Sequence, residues 1–133
     1  MRTFHHLGIA CRSIEREQRV YAGLGYALEG ERFADPLQGV RGSFMTGAGP
    51  RIELLENLPD STTLTPWLSK NIRVYHMAYL VDDFNAEVDI AQRAGWKMMR
   101  APLPAIAFSG ARVCFLMMPN MQLVEFVEAA PAP

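Results

Sequence analysis

Two histidines and two glutamates recur at matching places in one chain of 133 residues. His6 lies in the stretch FHHLGIA (4–10) and His76 in VYHMAYL (74–80), while Glu53 lies in RIELLE (51–56) and Glu125 in LVEFVE (123–128). Imidazole nitrogens with carboxylate oxygens suit an octahedral Mn, Fe, Co or Ni ion, or an expanded Zn site. Closed structural zinc sites favour thiolates. Four protein ligands leave two octahedral positions for water or a chelating substrate, which is the open geometry a Lewis acid needs. Glu53 and Glu125 are also flanked by apolar residues, where an ionised carboxylate is costly unless a cation compensates it. The competing arrangement pairs these glutamates with an Arg or Lys, for example Arg51 or Arg112, and leaves both histidines as packing.

The elements that must position these residues form a repeat. At an offset of seventy, Ser13 matches Asp83, Ile14 matches Phe84, and Gly25-Tyr26 matches Gly95-Trp96. Ser13 and Asp83 are helix-capping types, so helices are expected over 14–24 and 84–94, with Ile14, Tyr21 and Leu24 or Phe84, Val88 and Ala91 facing a core. Gly25 and Gly95 supply the backbone freedom for the exits. The offset then slips to seventy-two, as if two residues were added between Tyr26 and Val40 in the second copy. Strands over 40–46 and 112–118 precede the two acidic runs. Each half thus reads strand, helix and three strands. Neither half buries its sheet well alone, so the two are expected to share one α+β domain over 1–133. Module 1 covers about 4–58, a connector 59–73, module 2 74–128, and a frayed tail 129–133. Strand alternation sends His5 and His6 to opposite faces, and the repeat selects His6. It likewise separates Glu53 and Glu125 from Glu56 and Glu128.

Thirteen Lys and Arg are scattered among fourteen Asp and Glu, giving a net charge of −1 without the basic face that nucleic-acid binding uses. No apolar run approaches a membrane span and no signal-like segment opens the chain, so a cytoplasmic location is expected, without membrane partners. Cys11 and Cys114 read as buried free thiols. The eight methionines, and Phe44, Tyr79 and Phe108, read as packing, with a pocket lining as the other reading. Arg41, Arg51, Lys70, Arg73, Arg100 and Arg112 are the cations open to a substrate anion.

These four motifs in this order resemble the vicinal oxygen chelate superfamily, that of glyoxalases, bleomycin resistance proteins and dioxygenases. The tone of IELLE (52–56) and VDD (81–83) is closest to methylmalonyl-CoA epimerase, and Glu53 also fits a glyoxalase I ligand set. The resemblance implies two βαβββ modules forming one cup-shaped, mostly antiparallel sheet with helices outside. It also implies one divalent ion on His6, Glu53, His76 and Glu125, and a homodimer. A lyase or isomerase reaction is implied, in which Glu125 or Glu53 moves a proton beside a carbonyl or thioester through an enolate. The epimerases carry a catalytic glutamate just before a Gly-Val pair, where this chain has Gln38, which can orient a substrate oxygen but not accept a proton. A dioxygenase, a thiol transferase and a non-catalytic binding protein are the other activities the superfamily offers.

Overall fold

The computed structural model describes residues 1–130. In chain order the elements are β1 (Arg2–Ala10), α1 (Ile14–Ala22), β2 (Ala27–Asp35), β3 (Val40–Thr46), β4 (Ile52–Asn57), α2 (Thr65–Leu68), β5 (Val74–Val81), α3 (Phe84–Arg93), β6 (Lys97–Pro104), β7 (Arg112–Met117) and β8 (Leu123–Glu128). The strands pair in the order β2-β3-β4-β1-β5-β8-β7-β6. β1 with β4 and β5 with β8 are parallel, whereas β2–β3, β3–β4, β6–β7 and β7–β8 are antiparallel. The fold is α+β and each repeat is strand, helix and three strands, as the sequence leads one to expect.

The chain divides into two compact units, His6–Tyr75 and the residues from His76 onward together with Met1–His5. The first five residues therefore belong with the second repeat. Side chains explain why: Arg2 stacks over Trp96 and Phe126 and bonds Glu87, Phe4 meets Tyr79, and His5 meets Phe108.

Within His6–Tyr75, alternation along the strands separates two faces. Ile9, Cys11, Met45, Ile52 and Leu54 pack with Ile14 of α1 on one of them. The other carries His6, Gly8, Phe44 and Glu53. Ser13 Oγ accepts a hydrogen bond from Arg16 N, and α1 ends three residues before Gly25, whose φ of +107° a β-carbon would disfavour. Leu24, expected on the buried stripe, lies past the helix end and is 68% exposed.

The second unit repeats the plan. Val81, Cys114, Leu116, Val124 and Phe126 pack with Phe84 and Ala91 of α3, leaving His76, Phe115 and Glu125 on the opposite face. Asp83 Oδ1 caps α3 by accepting from Ala86 N, and Gly95 turns the chain out with φ +90°. Both cysteines are buried and free, and burial first of all pushes each thiol up to about 12, which makes them inert packing groups. Ala129 N donates to Val81 O, so the expected frayed tail is tied at its first residue, and its residues 131–133 lie outside the described residues.

The registers locate the two added residues. Leu28 and Glu29 face Met45 and Phe44, whereas Met98 and Arg100 face Leu116 and Phe115. The bulge at Met99 adds no residue, because Phe33, facing Gly42, and Leu103, facing Val113, are again seventy apart; one extra residue therefore lies in the turn between β6 and β7. Met45 pairs with Ile52 and Leu116 with Val124, so the other lies in the turn between β7 and β8 rather than before Val40. Third strands consequently correspond at an offset of seventy-one. Arg41 then matches Arg112, and both hold the outward glutamate of the next strand, Glu56 and Glu128 respectively.

Candidate metal centre

In the first unit the parallel β1–β4 register sets Glu53 opposite Gly8, two residues beyond His6, and the antiparallel β3–β4 register sets Phe44 on its other side. The glycine leaves space beside the carboxylate, and the phenyl edge closes on the imidazole at 5.4 Å between centroids. His6 Nε2 stands 3.1 Å from Glu53 Oε1.

In the second unit Glu125 sits between Ala78, two residues beyond His76, and Phe115. His76 meets the Phe115 ring edge-on at 5.2 Å, and its Nε2 is 3.4 Å from Glu125 Oε1. Both histidines are 0% exposed, with Glu53 at 4% and Glu125 at 5%.

Two ligand atoms ~2.1 Å from a common ion stand about 3.0 Å apart along an octahedral edge and about 3.4 Å along a tetrahedral one. Each His–Glu pair therefore has the spacing of neighbouring ligands. His6 and Glu53 in the first unit, and His76 and Glu125 in the second, are each buried donors of types that hold a metal ion. Of the cations the competing arrangement offered as examples, Arg51 Nε donates to Glu29 at 2.8 Å and Arg112 Nη2 to Glu128 at 2.7 Å. In the latter pair the guanidinium's hydrogen bonds hold the Glu128 carboxyl below its ordinary pKa. The donor types, burial and spacing fit a divalent ion.

Gln38 lies in the turn between β2 and β3. Its backbone N donates to Asp35 Oδ1 and its carbonyl accepts from Thr63 Oγ1. Gln38 is buried, two residues before β3 begins. His5 is half-buried against the Phe108 ring, and Phe108 packs beside Val113 and Val127 on the Glu125 face. Tyr79 faces the opposite way, onto the α3 core. Sequence reasoning missed Phe115 and the pairing of Phe44 with it. The seventy-one offset of the third strands would have revealed both.

A family model for the glyoxalase/bleomycin resistance protein/dioxygenase superfamily matches residues 5–130. The chain belongs to that superfamily. The ethylmalonyl-CoA/methylmalonyl-CoA epimerase of Cereibacter sphaeroides is 30% identical over 114 residues, covering 84% of this chain and 85% of its own. Among solved structures, a hypothetical protein from Bacillus halodurans superposes with a TM-score of 0.82 at 29% identity, covering 99% of this chain and 97% of that one. A variant methylmalonyl-CoA epimerase from Streptomyces coelicolor, in complex with 2-nitronate-propionyl-CoA, gives 0.77 at 27% identity over 97% and 98%.

Proposed function

We propose that this superfamily member is a metal-dependent isomerase of the epimerase type, moving a proton at the carbon beside the carbonyl of a CoA thioester. The observation that carries the reading is the buried His–Glu pair found at the same register in both units. His6, Glu53, His76 and Glu125 would hold one divalent ion, of the Ni, Co, Mn, Zn or Fe class. Such an ion supplies positive charge where the substrate oxygen becomes negative, an effect that lowers the barrier by several kcal/mol.

The chain's own residues do the rest. A carboxylate must take the proton from carbon, and Glu125 or Glu53 does so by turning one oxygen to the substrate. The Phe44 and Phe115 edges keep each imidazole in place and limit water beside the carboxylates. A homodimer, as in the resemblance, accompanies this reading.

The test is deuterium incorporation at C2 of methylmalonyl-CoA in D2O, with protein loaded separately with each of the five metals. At least one form is expected to exchange the proton catalytically, and Glu125→Gln or Glu53→Gln to slow it about 10²–10⁴-fold. Exchange no faster than without protein, in every loaded form, would contradict the reading.

A further inference from the structure

We propose that a cleft of the first unit binds a phosphate group through Arg12 and Arg16. Neither His6 nor Glu53 lines this cleft, so the inference goes beyond the epimerase reading and does not depend on it.

The cleft, of about 250 Å³, lies where the end of β1, the first turn of α1 and the segment after α2 meet, and Arg12, Arg16, Arg73, Glu17, Leu68 and Ile72 are among its walls. Three arginines stand there against one glutamate, an excess of two positive charges. Glu17 takes Arg73. Arg12 Nη2 donates to the Leu68 carbonyl at 2.9 Å, which holds that side chain at the wall and leaves its other N–H groups for a ligand. Among the described residues neither Arg12 nor Arg16 is paired with an acid, and both are exposed. Ile14 N is already bonded to Glu56 and Arg16 N to Ser13, so the donors on offer are guanidiniums rather than these helix amides.

The second unit shows which of these charges the fold needs. At the offset of seventy Glu17 matches Glu87, and each holds an arginine from the start of a strand, Arg73 just before β5 and Arg2 in β1. That pair is structural. Ser13 matches Asp83, and both cap a helix. Arg12, however, matches Asp82, which lies 3.7 Å from the Met1 ammonium, and Arg16 matches Ala86. Since α3 starts and is capped without either arginine, the excess charge of the first unit serves something other than the fold.

Its size and charge select the ligand. A phosphomonoester carries about −1.5 to −2 charge at neutral pH with three acceptor oxygens, which matches two uncompensated guanidiniums where a carboxylate's single charge does not. Each guanidinium can meet it with two parallel hydrogen bonds. The volume falls below the about 300–1,000 Å³ of sites that enclose a whole small molecule, so the cleft takes a phosphate end rather than an entire ligand. Two sources offer that end: the phosphorylated part of a CoA thioester, or a separate phosphate compound.

Calorimetric titration of the metal-free full chain with inorganic phosphate and with CoA tests this, in Arg12→Gln, Arg16→Gln, Arg16→Lys and the control Arg19→Gln. Arg19 is exposed one turn further along α1 and does not line the cleft. Phosphate is expected to bind saturably, tenfold or more weakly in each cleft Gln variant, with partial recovery in Arg16→Lys and no change in Arg19→Gln. A parallel loss for CoA assigns the phosphate to the thioester, and CoA binding that is unchanged or absent assigns it to a separate compound. No saturable phosphate binding by the unmodified protein, full affinity in Arg16→Gln, or an equal loss in Arg19→Gln would overturn the proposal. Removing the metal keeps this result apart from the epimerase reading, which stands or falls on proton exchange by the loaded protein.

Discussion

On the outer strand of the first unit Glu29 stands opposite Phe44, held by Arg51; in the second unit Arg100 stands opposite Phe115, and Leu123 occupies the place of Arg51. One strand further in the rows are the same, with Phe44 beside Glu53 and Phe115 beside Glu125. The outward salt bridges Arg41–Glu56 and Arg112–Glu128 are repeated as well. What fixes geometry has been kept in both copies. What differs is the charge on the outer strand, where the two strands carry their bulges at different points.

The comparison can be sharpened first in the two cores. Phe126, 0% exposed and stacked by Arg2 and near Trp96, anchors the second unit as Leu54 anchors the first. Phe126→Ala is expected to cost about 3–5 kcal/mol and Leu54→Ala about 2–5 kcal/mol in chemical denaturation. A cost below about 1 kcal/mol for either would show that its core relaxes around the loss. The turns before the third strands come next. Gly39 and Gly110 both have positive φ, +75° and +87°, but a β-carbon on Gly39 would lie 2.4 Å from Thr63 Oγ1, and nothing lies within 4 Å of one on Gly110. Gly110→Ala should cost about 1–2 kcal/mol from backbone strain alone, and Gly39→Ala distinctly more. Equal melting shifts would break that distinction. The smallest effects belong to the caps. Ser13→Ala and Asp83→Ala each remove one side-chain acceptor from a helix N-terminus and should each lower stability by about 1 kcal/mol, measured by thermal unfolding.

Much of this was legible in the residues because it rests on local chemistry. Ser13 and Asp83 are capping types, Gly25 and Gly95 tolerate positive φ, and period-two alternation separated His5 from His6 so that the repeat could select His6. The bulge at Met99 was not legible. It leaves the residue spacing of the strand unchanged, and only the partner strand reveals the shift of register. Nor could the sequence show that Met1–His5 belong with the second unit, since Trp96, Phe126 and Phe108 lie more than ninety residues away along the chain. Arg51 and Arg112 looked like equal candidates to neutralise Glu53 and Glu125. Strand parity and register gave each a different acid.

The most direct test of the central claim, one divalent ion held by ligands from both repeats, is elemental analysis of untagged protein alongside His6→Ala and His76→Ala variants that stay folded by circular dichroism. One transition-metal ion per chain is expected, with affinity lowered on the order of 100-fold or more in each variant, since even residues that only support a ligand contribute 10–100-fold. Stoichiometric metal retained at full affinity after either histidine is removed, or no metal taken up from a divalent panel by the unmodified chain, would contradict the account.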